Sequence, residues 1–155
     1  MTTTERSEDH VLFSQLLRTP YQALLTKLHA GLAAAGYADS SPSWGSNIFF
    51  FLREGGHRLT ELAERAHMTK QAMRYIVNQL EVAGYVERVP DPTDGRAKII
   101  RLTERGWAAR RVADEIIASL EEECVRSLGE DRMRQFKGLM KDVSRVLEEE
   151  SREQG

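Results

Sequence analysis

Apolar residues recur at helical spacing through most of the chain. Between about Glu8 and Tyr37, Leu12, Leu16, Leu17, Tyr21, Leu24, Leu25, Leu28 and Leu32 predict one long amphipathic helix. Pro20 lies inside it and predicts a kink or a break near Thr19, because proline removes a donor from the helical ladder. Gly36 or the Asp39-Ser40-Ser41 cluster ends it. Ser41-Pro42 is a suitable cap and first-turn pair for a second helix, which holds Trp44, Ile48, Phe49, Phe51 and Leu52 and stops at Gly55-Gly56. A third helix runs from about Leu59 to Ala66. A turn at His67-Met68 follows, with His67 suited to a left-handed conformation. Thr69 caps a fourth helix that continues to about Ala83, where Gly84 supplies the stop. Tyr85–Val89 and Ala97–Leu102 then read as two strands joined through residues 90–96. Thr103 caps a fifth helix from about Glu104 to Ser127, Gly129 breaks it, and a sixth runs from about Glu130 to Glu149. In that last helix Met133, Phe136, Met140, Val143 and Leu147 form one apolar stripe.

The predicted fold class is therefore mainly α with a small β-hairpin. Two short helices meet at a tight turn and a hairpin follows at once, which is the layout of a winged helix-turn-helix. Such a lobe places one helix in the major groove of DNA and its wing beside the backbone or minor groove. A wheel started at Lys70 puts Ala72, Met73, Ile76, Val77, Leu80 and Ala83 on one side of the fourth helix. Gln71, Arg74, Tyr75 and Asn78 share the opposite face at i, i+3, i+4 and i+7, with Lys70 at its edge. Guanidinium and amide groups match base edges, arginine to guanine and glutamine or asparagine to adenine. Thr69 and Lys70, at the helix start, suit phosphates, helped by the free amides there. A solvated helix face would carry the same residue types; the adjoining turn and wing are what set this one apart.

In the wing, Arg96 follows Asp91 and Asp94, which are close enough in sequence to orient its guanidinium and hold the loop. An arginine on a hairpin suits the narrow, electronegative minor groove. Lys98 and Arg101 on the second strand are candidate phosphate contacts or plain surface charges.

Net charge is −2, which favours no polyanionic partner by itself. The distribution is more informative. Residues 53–111 hold 12 Lys/Arg against 8 Asp/Glu, whereas residues 112–155 hold 7 against 12. The basic excess falls on the candidate DNA-binding module.

The run LTELAERAHMTKQAMRYIVNQLEVAGYVERVPDPTDGRAKIIRLTERG resembles the DNA-binding lobe of the MarR family of bacterial transcriptional regulators. Its DPTDGR segment is similar to the family's wing pattern, through Asp91, Asp94 and Arg96, and LTERG at the start of the fifth helix also matches. The similarity spans about residues 8–150, and residues 59–106 carry its specific motifs. The resemblance implies one domain over 1–155. Its winged helix-turn-helix lobe would be about 42–103, and its helical dimerisation region about 8–36 and 104–150. It implies an obligate homodimer built on the first, fifth and sixth helices, repression, and release of DNA by a small aromatic or anionic ligand. The ligand crevice would involve Tyr21, Trp44, Phe49, Phe51, Trp107 and Arg111. Independently, the apolar stripes on both terminal helices exceed what a small lobe can bury on itself, so a partner is expected. A two-fold dimer reads an inverted repeat with half-sites about 10 base pairs apart.

Other chemistries find little support. Cys124 sits beside Glu121, Glu122 and Glu123, which disfavours a reactive thiolate and fits a structural cysteine. His10, His29, His57 and His67 lack the spacing of a metal site, so no metal or cofactor is expected. No nucleophile triad, paired-acid site or phosphate loop is present, which argues against an enzyme. No apolar run reaches the roughly 20 residues of a membrane helix, the start lacks the form of a secretory signal, and a cytoplasmic protein is expected. The competing reading is a winged-helix module that binds another protein and no DNA. It would present a recognition face without basic or amide groups.

Overall fold

The computed structural model describes residues 3–40, 48–52 and 55–153. Helix α1 spans Thr3–Ala34, and a short 3₁₀ turn at Ala38–Ser40 follows. Helix α2 is Ile48–Phe51, α3 Leu59–Arg65 and α4 Lys70–Val82. Strands β1, Val86–Asp91, and β2, Asp94–Leu102, form the hairpin; α5, Glu104–Leu128, and α6, Glu130–Glu153, complete the chain. The Ser41-Pro42 cap and Trp44 lie outside the described residues.

Helix α1 passes through Pro20 without interruption, so of the expected kink or break the break does not occur. Proline leaves only the Leu16 carbonyl without its helical donor, and Leu16, Thr19 and Pro20 are all exposed, so water can satisfy it. The stops fall where the glycines predicted. Gly36, Gly84 and Gly129 have positive φ, and among the described residues His67 is the non-glycine exception at φ 51°.

The described residues divide into two compact units, Met1–Ile116 and Ile117–Gly155. The core of the first joins Leu28 and Leu32 from α1 with Ile48, Phe49, Leu52, Leu62, Met73, Val77, Leu80, Tyr85, Val86 and Ile100. Among the described side chains of α1, those that reach it lie in its C-terminal half; Leu12, Phe13 and Leu16 are 52, 49 and 61% exposed. Helix α5 enters through small residues, Gly106, Ala109 and Ala113, which allow close packing.

The strands pair antiparallel from Val86 opposite Leu102 to Pro90 opposite Lys98. Pairing then jumps to Asp91 opposite Asp94, so Gly95, Arg96 and Ala97 bulge out of the ladder. On the other edge of β2, His57 and Ile100 exchange both backbone hydrogen bonds, at 2.9 and 2.8 Å. This third contact had no counterpart in the sequence pattern.

The second unit holds the end of α5 and all of α6. None of its described side chains is buried. Met133, Met140 and Val143 are half-buried; Phe136, Leu139 and Val146 are exposed. Lys137 pairs with Glu121 and Arg134 with Asp131.

Candidate nucleic-acid interface

The helix-turn-helix is fixed by its own backbone. Met68 N–H donates to the Ala63 carbonyl at 2.9 Å, and the left-handed His67 turns the chain between the helices. Thr69 Oγ1 accepts from Ala72 N–H at 3.1 Å and caps α4 as predicted. Met73, Val77 and Leu80 are buried, and Ala72, Ile76 and Ala83 are half-buried, so the core side of the wheel is the observed one. Thr69, Lys70, Gln71, Arg74, Tyr75 and Asn78 are all exposed. Tyr75 stays 65% exposed, although its hydroxyl accepts from Gln79 Nε2 at 2.9 Å.

Asn78 has a partner that sequence spacing could not show. Arg88, on β1, donates through Nη2 to Asn78 Oδ1 at 2.6 Å, and its Nη1 is bonded to Glu81. One guanidinium thus joins the wing's first strand to the exposed face of α4.

The wing turn is held from a distance. Asp91 is 7% exposed; its Oδ1 accepts from the backbone N–H and hydroxyl of Thr93, at 2.8 and 2.7 Å. Its Oδ2 accepts from Arg58 Nε at 2.8 Å, and Arg58 Nη2 lies 2.7 Å away. Arg58 occupies the N-cap position of α3, 33 residues away in sequence, so the ion pair ties the wing to the front of the helix-turn-helix. The expectation that Asp91 and Asp94 orient the Arg96 guanidinium is corrected here. The turn is only Pro92-Thr93, and Asp91, which closes β1 beside it, faces Arg58 at the start of α3. Asp94 accepts from the Arg96 backbone N–H at 3.1 Å and lies 3.8 Å from Arg58. The two carboxylates therefore hold the loop through Arg58 and the backbone. Arg96, in the bulge, keeps a guanidinium that pairs with no described carboxylate. Lys98 is likewise exposed and unpaired among the described residues, whereas Arg101 is held by Glu87 at 2.7 Å.

Hydrogen bonds from Thr93, then from Arg58, hold the Asp91 carboxyl down at about 2, below its ordinary 3.8. A lowered folded-state pKa makes a contribution that is complete above the unfolded value and is lost as pH falls toward 2. Asp91→Asn should therefore be less stable than wild type at neutral pH. The gap in urea midpoint should narrow between pH 4 and pH 2. A gap that does not vary with pH would contradict this assignment.

Of the residues expected to form one aromatic crevice, the described ones take different places. Phe49 is fully buried, edge-on to Tyr85 at 5.9 Å, and belongs to the core. Phe51 is half-buried at the core's fringe, and Tyr21 is exposed on α1. Trp107 and Arg111 do share a cleft of about 530 Å³, together with Glu87, Arg101 and Glu104. Nearby, Arg105 bonds both Asp39 oxygens, at 3.1 and 3.0 Å, and lies 4.6 Å over the Tyr85 ring. Burial, then the bond to Asp39, raises the Tyr85 phenol above its usual pKa. Cys124 is exposed, so it is no core residue.

Helix, turn, capped helix and bulged wing together define a winged helix-turn-helix protein. Residues 41–97 match the model of the MarR family. An HTH-type transcriptional repressor of Mycobacterium tuberculosis is 32% identical over 83 residues, 54% of this chain and 60% of that relative's length. Among solved structures, FabT of Streptococcus pneumoniae in complex with DNA is similar over 90% of this chain and 98% of its own, with TM-score 0.76 and 18% identity. The PcaV transcriptional regulator of Streptomyces coelicolor, in complex with its natural ligand, is similar over 86% and 92%, with TM-score 0.65 and 23% identity. Over the lobe that holds the helix-turn-helix, the chain is therefore similar to MarR-family regulators, and it spans about 60% of the length of the curated repressors it matches.

Proposed function

We propose that this protein is a sequence-specific DNA-binding transcriptional repressor acting as a homodimer on an inverted-repeat operator. The observation that carries the proposal is the α4 face of Gln71, Arg74, Tyr75 and Asn78. It is exposed on a helix whose other side is locked into the core, beside a wing tied to the same lobe by Arg58 and Asp91. Arg74 and the amides would read base edges; Thr69, Lys70 and Lys98 would meet phosphates; Arg96 would enter the minor groove. A protein-binding module needs no such basic and amide face. The M. tuberculosis relative is named a repressor and the FabT structure contains DNA, which supports the same reading.

The dimer would cover the exposed apolar residues Leu12, Phe13 and Leu16 of α1 and Phe136, Leu139 and Val146 of α6. The dimerisation region would thus be about 8–36 and 104–150, with the lobe at about 42–103. The cleft at Trp107 and Arg111 would take a small aromatic or anionic effector; PcaV, which has the same fold, is solved in complex with its natural ligand. A site in the cytoplasm fits this role.

Binding to DNA from upstream of the protein's own gene, at about 50 mM salt, tests the proposal. Arg74→Ala should relax base preference at one position of each half-site, by roughly 1–3 kcal/mol of discrimination. Arg96→Ala should weaken all sequences more evenly. Absence of binding to any DNA at that salt would refute the proposal.

A further inference from the structure

Asparagine can present either end of its amide to a base edge, and in this lobe the choice has been made by Arg88. A guanidinium offers donors only, so the Asn78 atom facing it at 2.6 Å is the carbonyl oxygen. The same guanidinium is fixed by its second bond to Glu81, one turn further along α4, and Arg88 itself is half-buried. Its backbone is in register with Ile100 in the middle of the hairpin, which fixes its Cα while Glu81 holds the guanidinium. The amide is therefore held with its oxygen toward β1 and its NH₂ outward. That NH₂ has no partner among the described residues.

We infer that Arg88 is a specificity-determining residue acting through Asn78. It turns a side chain able to accept and donate into an outward donor. The inference rests on the DNA-binding reading and sharpens it. A freely rotating asparagine pairs bidentately with adenine, accepting from N6 and donating to N7. With its oxygen turned inward, Asn78 can donate only. It then favours a base edge rich in acceptors, guanine O6 and N7 or thymine O4, and discriminates against the cytosine amino group. The face that Gln71 and Arg74 open toward guanine or adenine is thus narrowed at Asn78 by a residue outside the helix.

The test is selection of binding sites from a randomised DNA pool by wild type, Arg88→Met, Arg88→Lys and Asn78→Ala. Wild type should show one column per half-site where guanine or thymine is preferred. Asn78→Ala should erase that column and leave the others. Arg88→Met, which keeps the apolar stem, should shift the same column toward adenine on the order of tenfold. Arg88→Lys can keep the charge opposite Glu81 but loses the fork, and should show a smaller shift in the same column. It also serves as the informative variant if Arg88→Met folds poorly. If both Arg88 variants return the wild-type preferences, Arg88 is structural and the inference fails while DNA binding stands. If wild type enriches no sequence, the DNA-binding reading itself fails, and this inference with it.

Discussion

Gly106→Ala is expected to destabilise the lobe severely, by about 3 kcal/mol or more, although it replaces a poor helix former with the best one. Helix propensity alone argues for a gain of roughly 1 kcal/mol at this position in the first turn of α5. The packing reverses the sign. A Cβ on Gly106 would lie 2.1 Å from the Tyr85 carbonyl oxygen and 3.0 Å from Leu102 Cδ2. The first of these is backbone and cannot rotate away. That carbonyl also accepts from Thr103 N–H at 3.0 Å, while the Thr103 hydroxyl donates to the Gly84 carbonyl at 2.5 Å and accepts from Gly106 N–H at 3.1 Å. Moving α5 outward to admit a methyl group would stretch the bonds that join the start of α5 to the end of α4. At roughly 2–4 °C per kcal/mol for a chain of this size, the thermal midpoint should fall by about 10 °C.

Gly31 provides the control. Its added Cβ would lie 2.6 Å from Ile116 Cδ1, the far end of a flexible side chain, which can shift rotamer. The gain in helix propensity then offsets much of the cost, and Gly31→Ala should change stability by less than about 1 kcal/mol. Urea or thermal unfolding of the two variants checks both. Equal effects, or a Gly106→Ala protein as stable as wild type, would show that the α4–β1 junction yields more readily than its hydrogen bonding indicates.

The contrast also marks what the sequence could reveal. The LTERG run carried the resemblance, but nothing in the spacing said why its glycine must be a glycine. That reason lies in a carbonyl about twenty residues upstream. The same division holds across the lobe. Periodicity located the core side of α4, Thr69 and Gly84 marked its ends, and His67 marked the turn, because each is a local choice of backbone or facing. Arg58 and Arg88 escaped notice, because their partners, Asp91 and Asn78, lie 33 and 10 residues away and meet them only once the hairpin folds back. Asp91 and Asp94 were recognised as loop-holding residues, but their partner was misassigned to the sequence-adjacent Arg96. The bulge at residues 95–97 separates it from them. Phe49 was assigned to the aromatic crevice for a related reason. Helical spacing could place Phe49 on an apolar face but could not distinguish a crevice wall from the core against Tyr85.

Affinity for an operator should fall steeply with salt, and the paired and unpaired cations of the lobe predict how steeply. Of the basic residues between 55 and 111, Arg58, Arg88, Arg101, Arg105 and Arg110 already face carboxylates. Arg65, Lys70, Arg74, Arg96, Lys98 and Arg111 pair with no described carboxylate. Four of these, Lys70, Arg74, Arg96 and Lys98, lie on α4 or the wing. A cation already neutralised by a carboxylate releases few counterions when it meets a phosphate, so these four should dominate. In the proposed homodimer, two lobes would displace about eight ions, which gives a slope of log K against log salt near −7. Between 50 and 200 mM salt that is a loss on the order of 10⁴-fold in affinity. Lys98→Gln, which removes one such charge from each lobe, should reduce the slope by about 2. Arg101→Gln should leave it nearly unchanged, despite lying three residues further along the same strand, because Glu87 already holds that guanidinium at 2.7 Å. Titrations at five or six salt concentrations separate the cases. Equal slope changes for Lys98→Gln and Arg101→Gln would mean that Glu87 releases Arg101 on binding, and that the phosphate-facing edge of the wing extends along all of β2.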